Sequence, residues 1–434
     1  MKLAAAFTAC VGLMWAQEAQ LAEARLGILE AIRNLPRYTC TQTVDRSRFV
    51  DKNGPLRRAS CDQILANRRN GIFKPRLTGT DRLRMDVLNS DQGVEVYSWP
   101  GAGRMSVERI QDLAGEGDIG TGSFGPFLIN IFNSQGVVFV PEGTVEIDGA
   151  RLFQYRYRVP EKSSHYRVEA AGSMRVVPFD GRFWIDAGSL ELRRLTVRTG
   201  ELTATTGHCE ATTSVDFART RIGTGEFLLP RQSLLETIRR DGAEARNTTR
   251  YASCREFTGE SVLRFDGMEE TPGQDAAAAS ASAFPAGVRI TVALLDDIDT
   301  ASAAAGDALR ARVVKSAARP GKRGPALPAG TVIHGRLLRL EHHLVTDPGF
   351  SFALAFESVE LGGRTVPFAA IPDRATVVTE YQSAVRMTGN TVHQWSSGRR
   401  AATRGGTFVF PTDRANIVIP RGTESQWITI APPK

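Results

Sequence analysis

The sequence predicts a mainly β protein: an α+β N-terminal domain, built as a curved antiparallel half-barrel with an N-terminal helix and a lid helix, followed by a small C-terminal β-barrel. Three observations carry this expectation. Residues 181–198 spell out a whole β-hairpin, with Phe183 and Ile185 alternating with Trp184 on one arm and Leu190, Leu192, Leu195 and Val197 on the other. Asp186, Ala187, Gly188 and Ser189 supply the turn between them. The same period-2 pattern recurs on both sides of this hairpin and resumes at Val288, after a stretch poor in apolar bulk. The chain, at 434 residues, is also too long for one typical core, so two domains are expected.

The N-terminus has the layout of a secretory signal peptide over residues 1–16: Lys2, an apolar run from Leu3 to Trp15, and Ala16 at the cleavage position. Cys10 falls inside that segment. Beyond it no apolar run approaches the roughly 20 residues of a membrane helix, so no transmembrane segment is expected in the mature chain. Four cysteines remain, Cys40, Cys61, Cys209 and Cys254, an even number that in an exported chain points to disulfides. Three pairings are possible. The turn signal at Asp51 to Pro55 lies midway between Cys40 and Cys61, which favours a hairpin with Cys40 bonded to Cys61 and leaves Cys209 for Cys254.

In chain order, residues 17–34 carry Leu21, Leu26, Ile28, Leu29 and Ile32 near helical spacing, and Pro36 ends this amphipathic helix. Residues 38–50 and 59–67 read as the two strands of the disulfide-linked hairpin, and 83–88 and 94–99 as further strands. Gly115, Gly117 and Gly120 stand in a G-x-G-x-x-G pattern, but the residues before them look helical and the sheet after them antiparallel. A dinucleotide fingerprint needs the opposite context, so a flexible loop is the reading. After that loop, Phe124, Phe127, Leu128, Ile131 and Phe132 crowd a short helix opened by Gly125 and Pro126. Such a helix on a glycine hinge is either a plug in the core or a lid over an apolar cavity.

Residues 151–159 put Phe153, Tyr155, Tyr157 and Val159 on one face and Gln154, Arg156 and Arg158 on the other. Residues 165–169 and 173–179 then continue a meander into the hairpin. In that hairpin Arg193 and Arg194 break the alternation, and a β-bulge there restores the apolar face and bends the strand. Strands at 209–219, 226–240 and 246–256 follow. A run of antiparallel strands behind an N-terminal helix is the pattern of one large curved sheet wrapped around helices.

This arrangement, with its phrase Phe183 to Asp186 and Leu190 to Leu195, resembles the LolA-like lipoprotein-carrier superfamily over most of residues 17–266. The resemblance implies a half-barrel that holds acyl chains of lipoproteins or related lipids against an apolar concave face beneath helices.

Residues 269–286, rich in Ala, Ser and other small residues, read as a linker between a domain at 17–268 and another at 287–434. Strands at 288–294, 308–315, 331–341, 350–360 and 364–370 follow at short intervals, the habit of a small barrel. Pro328 to Thr331 and Pro420 to Thr423 repeat one turn chemistry ahead of a strand. Gly306 and Asp307 ahead of Ala311 to Val313, then Leu327 to Gly335 and Val359 to Val366, resemble the C-terminal β-barrel of TrbI-type conjugation-channel proteins. That family uses the barrel for envelope assembly, which implies an envelope protein partner.

The net charge is +7, yet seven of the 54 basic residues are Lys and the Arg alternate along strands. Arg on the outer faces of sheets, favouring anionic lipid or glycan, accounts for the charge, and no nucleic acid partner is expected. Asp296, Asp297 and Asp299 lack the Gly and closing Glu of a calcium loop. His342 and His343 are adjacent and so face opposite sides of a strand, and His208 beside Cys209 would meet a thiol consumed by a disulfide. No nucleophile elbow, zinc-protease helix or P-loop occurs. The expectation is therefore a non-enzymatic protein of the periplasm or outer-membrane periphery, without cofactor or metal. Phe124, Phe127, Leu128, Ile131 and Phe132 would contact a lipid or acylated protein. The alternative is a structural adaptor with filled cores and no small ligand.

Overall fold

The computed structural model describes residues 2–54, 59–89, 95–101, 110–115, 117–121, 125–170, 173–200, 202–257, 284–317, 327–373 and 406–432. Phe124 and most of the stretch read as a linker lie outside the described residues.

The chain opens with α1 (Lys2–Arg33), followed by β1 (Tyr38–Asp51), α2 (Cys61–Arg69), β2 (Pro75–Asn89), β3 (Glu95–Ser98), α3 (Ile110–Ala114) and α4 (Pro126–Phe132). Strands β4 (Val138–Ile147), β5 (Ala150–Val159), β6 (Arg167–Ala170), β7 (Ser173–Val176), β8 (Phe179–Asp186) and β9 (Leu192–Thr199) come next. Three long strands complete this part: β10 (His208–Ile222), β11 (Gly225–Arg239) and β12 (Glu244–Glu256). Successive pairings run β4, β5, β8, β9, β10, β11, β12, β1, β2, β3, all antiparallel. Among the described residues no pairing joins β4 to β3, so the sheet is open, as a half-barrel is. Among the described residues no helix is long and apolar enough to cross a membrane.

The hairpin that organises the sequence forms as read. Asp186 Oδ1 accepts from the backbone N–H groups of Gly188 and Ser189, closing the turn. Trp184 lies opposite Arg194 while Ile185 lies opposite Leu192, so Arg193 is the extra residue of a bulge. Gly181 serves a different purpose: Tyr157 Oη donates to the Thr196 carbonyl at 2.8 Å past it. A Cβ at Gly181 would sit 1.9 Å from that oxygen. The meander reading changes. Strands β6 and β7 form a two-stranded ribbon of their own, so β5 pairs directly with β8 rather than through a continuous meander.

The favoured disulfide pairing is overturned. The bonds are Cys40–Cys254 and Cys61–Cys209. The physical reason is a helix where a strand was expected. Ser60 accepts from the Gln63 N–H while the Gln63 side chain accepts from the Ser60 N–H, a capping box that starts α2 at Cys61. The turn at Asp51 does form, with Gly54 N–H donating to the Asp51 carbonyl, but it leads into this helix. Strand β1 therefore pairs with β2 and β12, which brings Cys40 beside Cys254. The first turn of α2 lies against the start of β10.

Several outward-facing arginines meet carboxylates one or two strands away. Arg182 Nε meets Glu142 at 2.7 Å, Arg194 Nε meets Asp216 at 2.6 Å and Arg198 Nε meets Asp180 at 2.9 Å. Each exposed pair is worth about 0–1 kcal/mol. Their effect is to neutralise much of the basic surface expected to attract anions.

The C-terminal part contains β13 (Arg289–Leu294), β14 (Ile298–Asp299), β15 (Ala308–Ala317), β16 (Val332–His343), β17 (Gly349–Leu361), β18 (Arg364–Pro367) and β19 (Ala369–Pro372). It ends with β20 (Gly406–Pro411), β21 (Val418–Ile419) and β22 (Glu424–Ile430). Pairings lead from β13 through β15, β16 and β17 to β18, and the chain then bends at Phe368 so that β19 pairs with β22, which returns to β13. The circuit surrounds an apolar core that includes Phe352, Phe368 and Trp427. The two matching turns behave alike: Thr331 N–H donates to the Pro328 carbonyl and Thr423 N–H to that of Pro420, each at 3.2 Å.

Backbone hydrogen bonds join the two parts. The register sets Asp81, Thr80 and Gly79 of β2 against Glu341, His342 and His343 of β16. Arg84 N–H donates to the Ala305 carbonyl at 2.7 Å, and Ala305 N–H to that of Arg82 at 2.8 Å. Arg336, almost fully buried, donates to the carbonyls of Pro100 and Gly306 and pairs with Glu357. At Gly306, whose φ is +106°, a Cβ would lie 2.0 Å from the Arg84 oxygen, so close approach at this seam requires glycine.

Non-reducing peptide mapping is expected to recover the Cys40–Cys254 and Cys61–Cys209 pairs and no Cys40–Cys61 pair. Replacing both Cys61 and Cys209 by Ala removes a link across 148 residues and is expected to cost about 2–5 kcal/mol in a denaturant titration. Gly181→Ala should cost about 3 kcal/mol or more. Gly200→Ala, with nothing within 4 Å of the added carbon, should change stability by less than about 0.5 kcal/mol.

Candidate ligand-binding site

Strands β5, β8, β9 and β10 turn one apolar face inward because their alternation places Tyr155 and Tyr157, Phe179 and Phe183, Leu195 and Val197, and Val215 and Phe217 on the same side. Phe183 is at its centre. It stacks on Tyr155 at 5.1 Å and receives Phe132 and Phe139 edge-on at 5.1 and 6.0 Å. Such aromatic pairs add about 0.5–1.5 kcal/mol each beyond the area that they bury.

Helix α4 seals this face. Its start is set by Gly125 and by Pro126 at the first helical position. Phe127, Leu128, Ile131 and Phe132 are all buried, Ile131 and Phe132 completely. Four of the five residues expected as lid contacts therefore come together, and Phe124 falls outside the described residues. Phe127 also stacks on Tyr166 at 5.6 Å. From the other side α1 lies over α4, contributing Ala24 and Ile28 to the same core. Leu26, expected on the apolar face of that helix, is 66% exposed.

Polar contacts fix the position of α4. Arg25 donates to the Phe132 carbonyl at 2.8 Å and holds its guanidinium 4.9 Å above the Phe139 ring. Asn130, buried among the apolar side chains, donates to the Ser163 carbonyl at 2.8 Å and to Ser134 Oγ at 3.0 Å. Its Oδ1 accepts from the His165 N–H at 2.9 Å. A buried amide satisfied in this way costs little, whereas its loss would strand the partners.

Within the glycine-rich loop before α4, residues 117–121 make specific contacts with the sheet. Residues 117–121 lie against the concave side of β1, β10, β11 and β12, leaving a void of about 10 Å³ bordered by Val44, Ile119, Leu235 and Asn247. Asp118 anchors it. Its carboxylate accepts from Thr237 Oγ1 and meets His208 Nε2 at 3.2–3.3 Å, and its carbonyl accepts from Asn247 Nδ2 at 2.5 Å. Sequence reasoning weighed His208 only beside Cys209 and missed this cluster. Residues drawn from positions 118, 208, 237 and 247 leave no local pattern to find.

The remaining candidates for chemistry are committed elsewhere. Asp296 makes a two-point pair with Arg310 at 2.8 and 3.0 Å, Asp297 accepts from the Arg421 N–H, and Asp299 accepts from the Ala301 N–H. His342 stacks on Phe350 at 4.1 Å, and burial, then the neighbouring His343, holds its pKa below the ordinary value. His343 Nε2 approaches both Ser351 Oγ at 3.0 Å and Glu341 at 3.6 Å. A serine relay needs the acid on the other ring nitrogen, so this trio is not one.

No family model and no curated protein matches the chain. Among solved structures, a DUF1329 family protein from Desulfovibrio piger is similar at 11% identity and a TM-score of 0.28, covering 57% of this chain and 96% of that one. A putative outer membrane lipoprotein-sorting protein domain from Vibrio parahaemolyticus is similar at 12% identity and a TM-score of 0.26, covering 55% and 92%. A LolA superfamily protein from Nitrosomonas europaea is similar at 12% identity and a TM-score of 0.25, covering 54% and 94%.

Phe183→Ala, which leaves a hole beneath α4, is expected to lower stability by about 3–5 kcal/mol. Leu26→Ala on the exposed side of α1 should shift it by less than about 0.5 kcal/mol, both read from urea unfolding.

Proposed function

We propose that this is a non-enzymatic envelope protein, exported to the periplasm, that binds a lipid or the acyl moiety of a lipoprotein on the aromatic face beneath α4, with the C-terminal barrel docking to an envelope partner. The two disulfides fit an oxidising compartment. The observation that supports the ligand reading is that a short helix, α4, packs four apolar side chains onto an aromatic sheet face beside α1.

Magnitudes favour reversible exchange. Burying the four apolar side chains of α4 is worth roughly 6–12 kcal/mol, at about 1.5–3 kcal/mol each. An acyl chain of roughly twelve methylenes offers about 10 kcal/mol at about 0.8 kcal/mol per buried CH₂. A ligand that displaces the helix therefore recovers what the helix gives up. Neither state is favoured so strongly that loading or release would stall.

The structural adaptor is supported by a different observation. Phe132, Ile131 and Phe183 are wholly buried and fill the face with the protein's own side chains.

Native mass spectrometry with solvent extraction, on the full chain purified from a periplasm without detergent, separates the two. The carrier reading expects a lipid-sized added mass, or one acquired saturably from an acylated peptide, and its loss in a still-folded Phe127→Asp, Phe132→Asp variant. A ligand-free mass, unchanged after incubation with lipids and acylated peptides, would sink the carrier and leave the adaptor.

A further inference from the structure

The anchor of the loop ahead of α4 contains a proton that its geometry requires. His208 Nδ1 lies 2.8 Å from the Thr206 carbonyl, an oxygen that can only accept, so Nδ1 carries a hydrogen. In a neutral imidazole Nε2 would then present a lone pair. It faces the Asp118 carboxylate at 3.2–3.3 Å, another group with only lone pairs. With Asp118 ionised, both contacts are attractive only when the ring is an imidazolium.

We propose that residues 117–121 form a proton-held clasp: the His208 imidazolium pins Asp118, and loss of that proton releases the loop. The clasp does not rest on the carrier reading.

The neighbours of the pair define its direction. Arg239 on β11 stands near both groups and is itself 3.6 Å from Asp241. On β1, Arg46, paired with Asp81, comes up against Gly117. Thr237 and Asn247, from β11 and β12, are neutral. Burial disfavours the charge on His208, but the hydrogen bond and charge of Asp118 prevail and raise its pKa above the ordinary value. Burial likewise opposes the Asp118 carboxylate, and His208, Thr237 and Arg239 prevail to lower its pKa.

The sign follows from linkage. A raised histidine pKa contributes stability that is complete below about 6.5 and disappears as pH rises through the folded value. A lowered aspartate pKa contributes stability that is complete above about 3.9 and disappears as pH falls through its folded value. The clasp is therefore shut from acid to mildly acid pH and opens toward the alkaline side.

The test is hydrogen–deuterium exchange by mass spectrometry on the full chain between pH 5.5 and 8.5, expressed as protection relative to the unstructured rate for peptides covering 110–121. The wild type is expected to lose protection by up to about tenfold per pH unit above about 6.5. Asp118→Asn should remove or invert that dependence, because an amide can donate to a neutral Nε2 while its oxygen still accepts from Thr237. Flat protection in the wild type, or an unchanged pH dependence in Asp118→Asn, would overturn the clasp. If the variant does not fold, NMR titration of His208 in the wild type decides: a midpoint above about 6.5 supports it and one at or below that value refutes it. Failure of lipid binding in the mass measurement would remove the carrier reading while leaving these outcomes intact.

Discussion

A ten-strand open sheet has one concave apolar face, and an aromatic face of this size cannot be left to water. That constraint arranges the rest of the N-terminal part. Phe183 and its neighbours demand a cover, which the chain provides from α1 and α4, while the loop at 117–121 lies against β1, β10, β11 and β12. The polar groups recruited into these segments, Arg25, Asn130 and Asp118, are each satisfied by partners far away in sequence. Burial without those partners would cost more than the packing returns.

What could be read from the sequence was what is encoded locally. The period-2 alternation of β5 and of the 181–198 hairpin, the bulge at Arg193 and the repeated Pro-x-Gly-Thr turns depend on residues within a few positions of one another, and all are present in the structure. The short helix at Pro126 was legible for the same reason. The disulfides were misread because two local signals competed around residues 51–64. The turn at Asp51 argued for a hairpin, while the capping box of Ser60 and Gln63 argued for a helix, and the helix formed. Once it did, each cysteine met a partner from a distant strand, which spacing alone could not reveal.

The candidate site divides in the same way. Its apolar residues were visible because they recur at regular intervals. Its polar fixings were not, since Asn130 relies on Ser163 and His165, and Asp118 on positions 208, 237 and 247. The Asp118 contacts exist only after strands β10 to β12 have aligned, and those of Asn130 only after α4 has packed against residues 163–165.

The seam at β2 bears on how the chain can be divided. Residues 78–84 of β2 owe part of their hydrogen bonding to the C-terminal part, through β16, Leu344 and Ala305. A polypeptide ending at residue 257 would keep the aromatic face and both disulfides but would present that stretch as a bare strand edge. Bare edges recruit one another. Such a fragment is expected to sediment as dimers or larger species, because the C-terminal part is what occupies this edge.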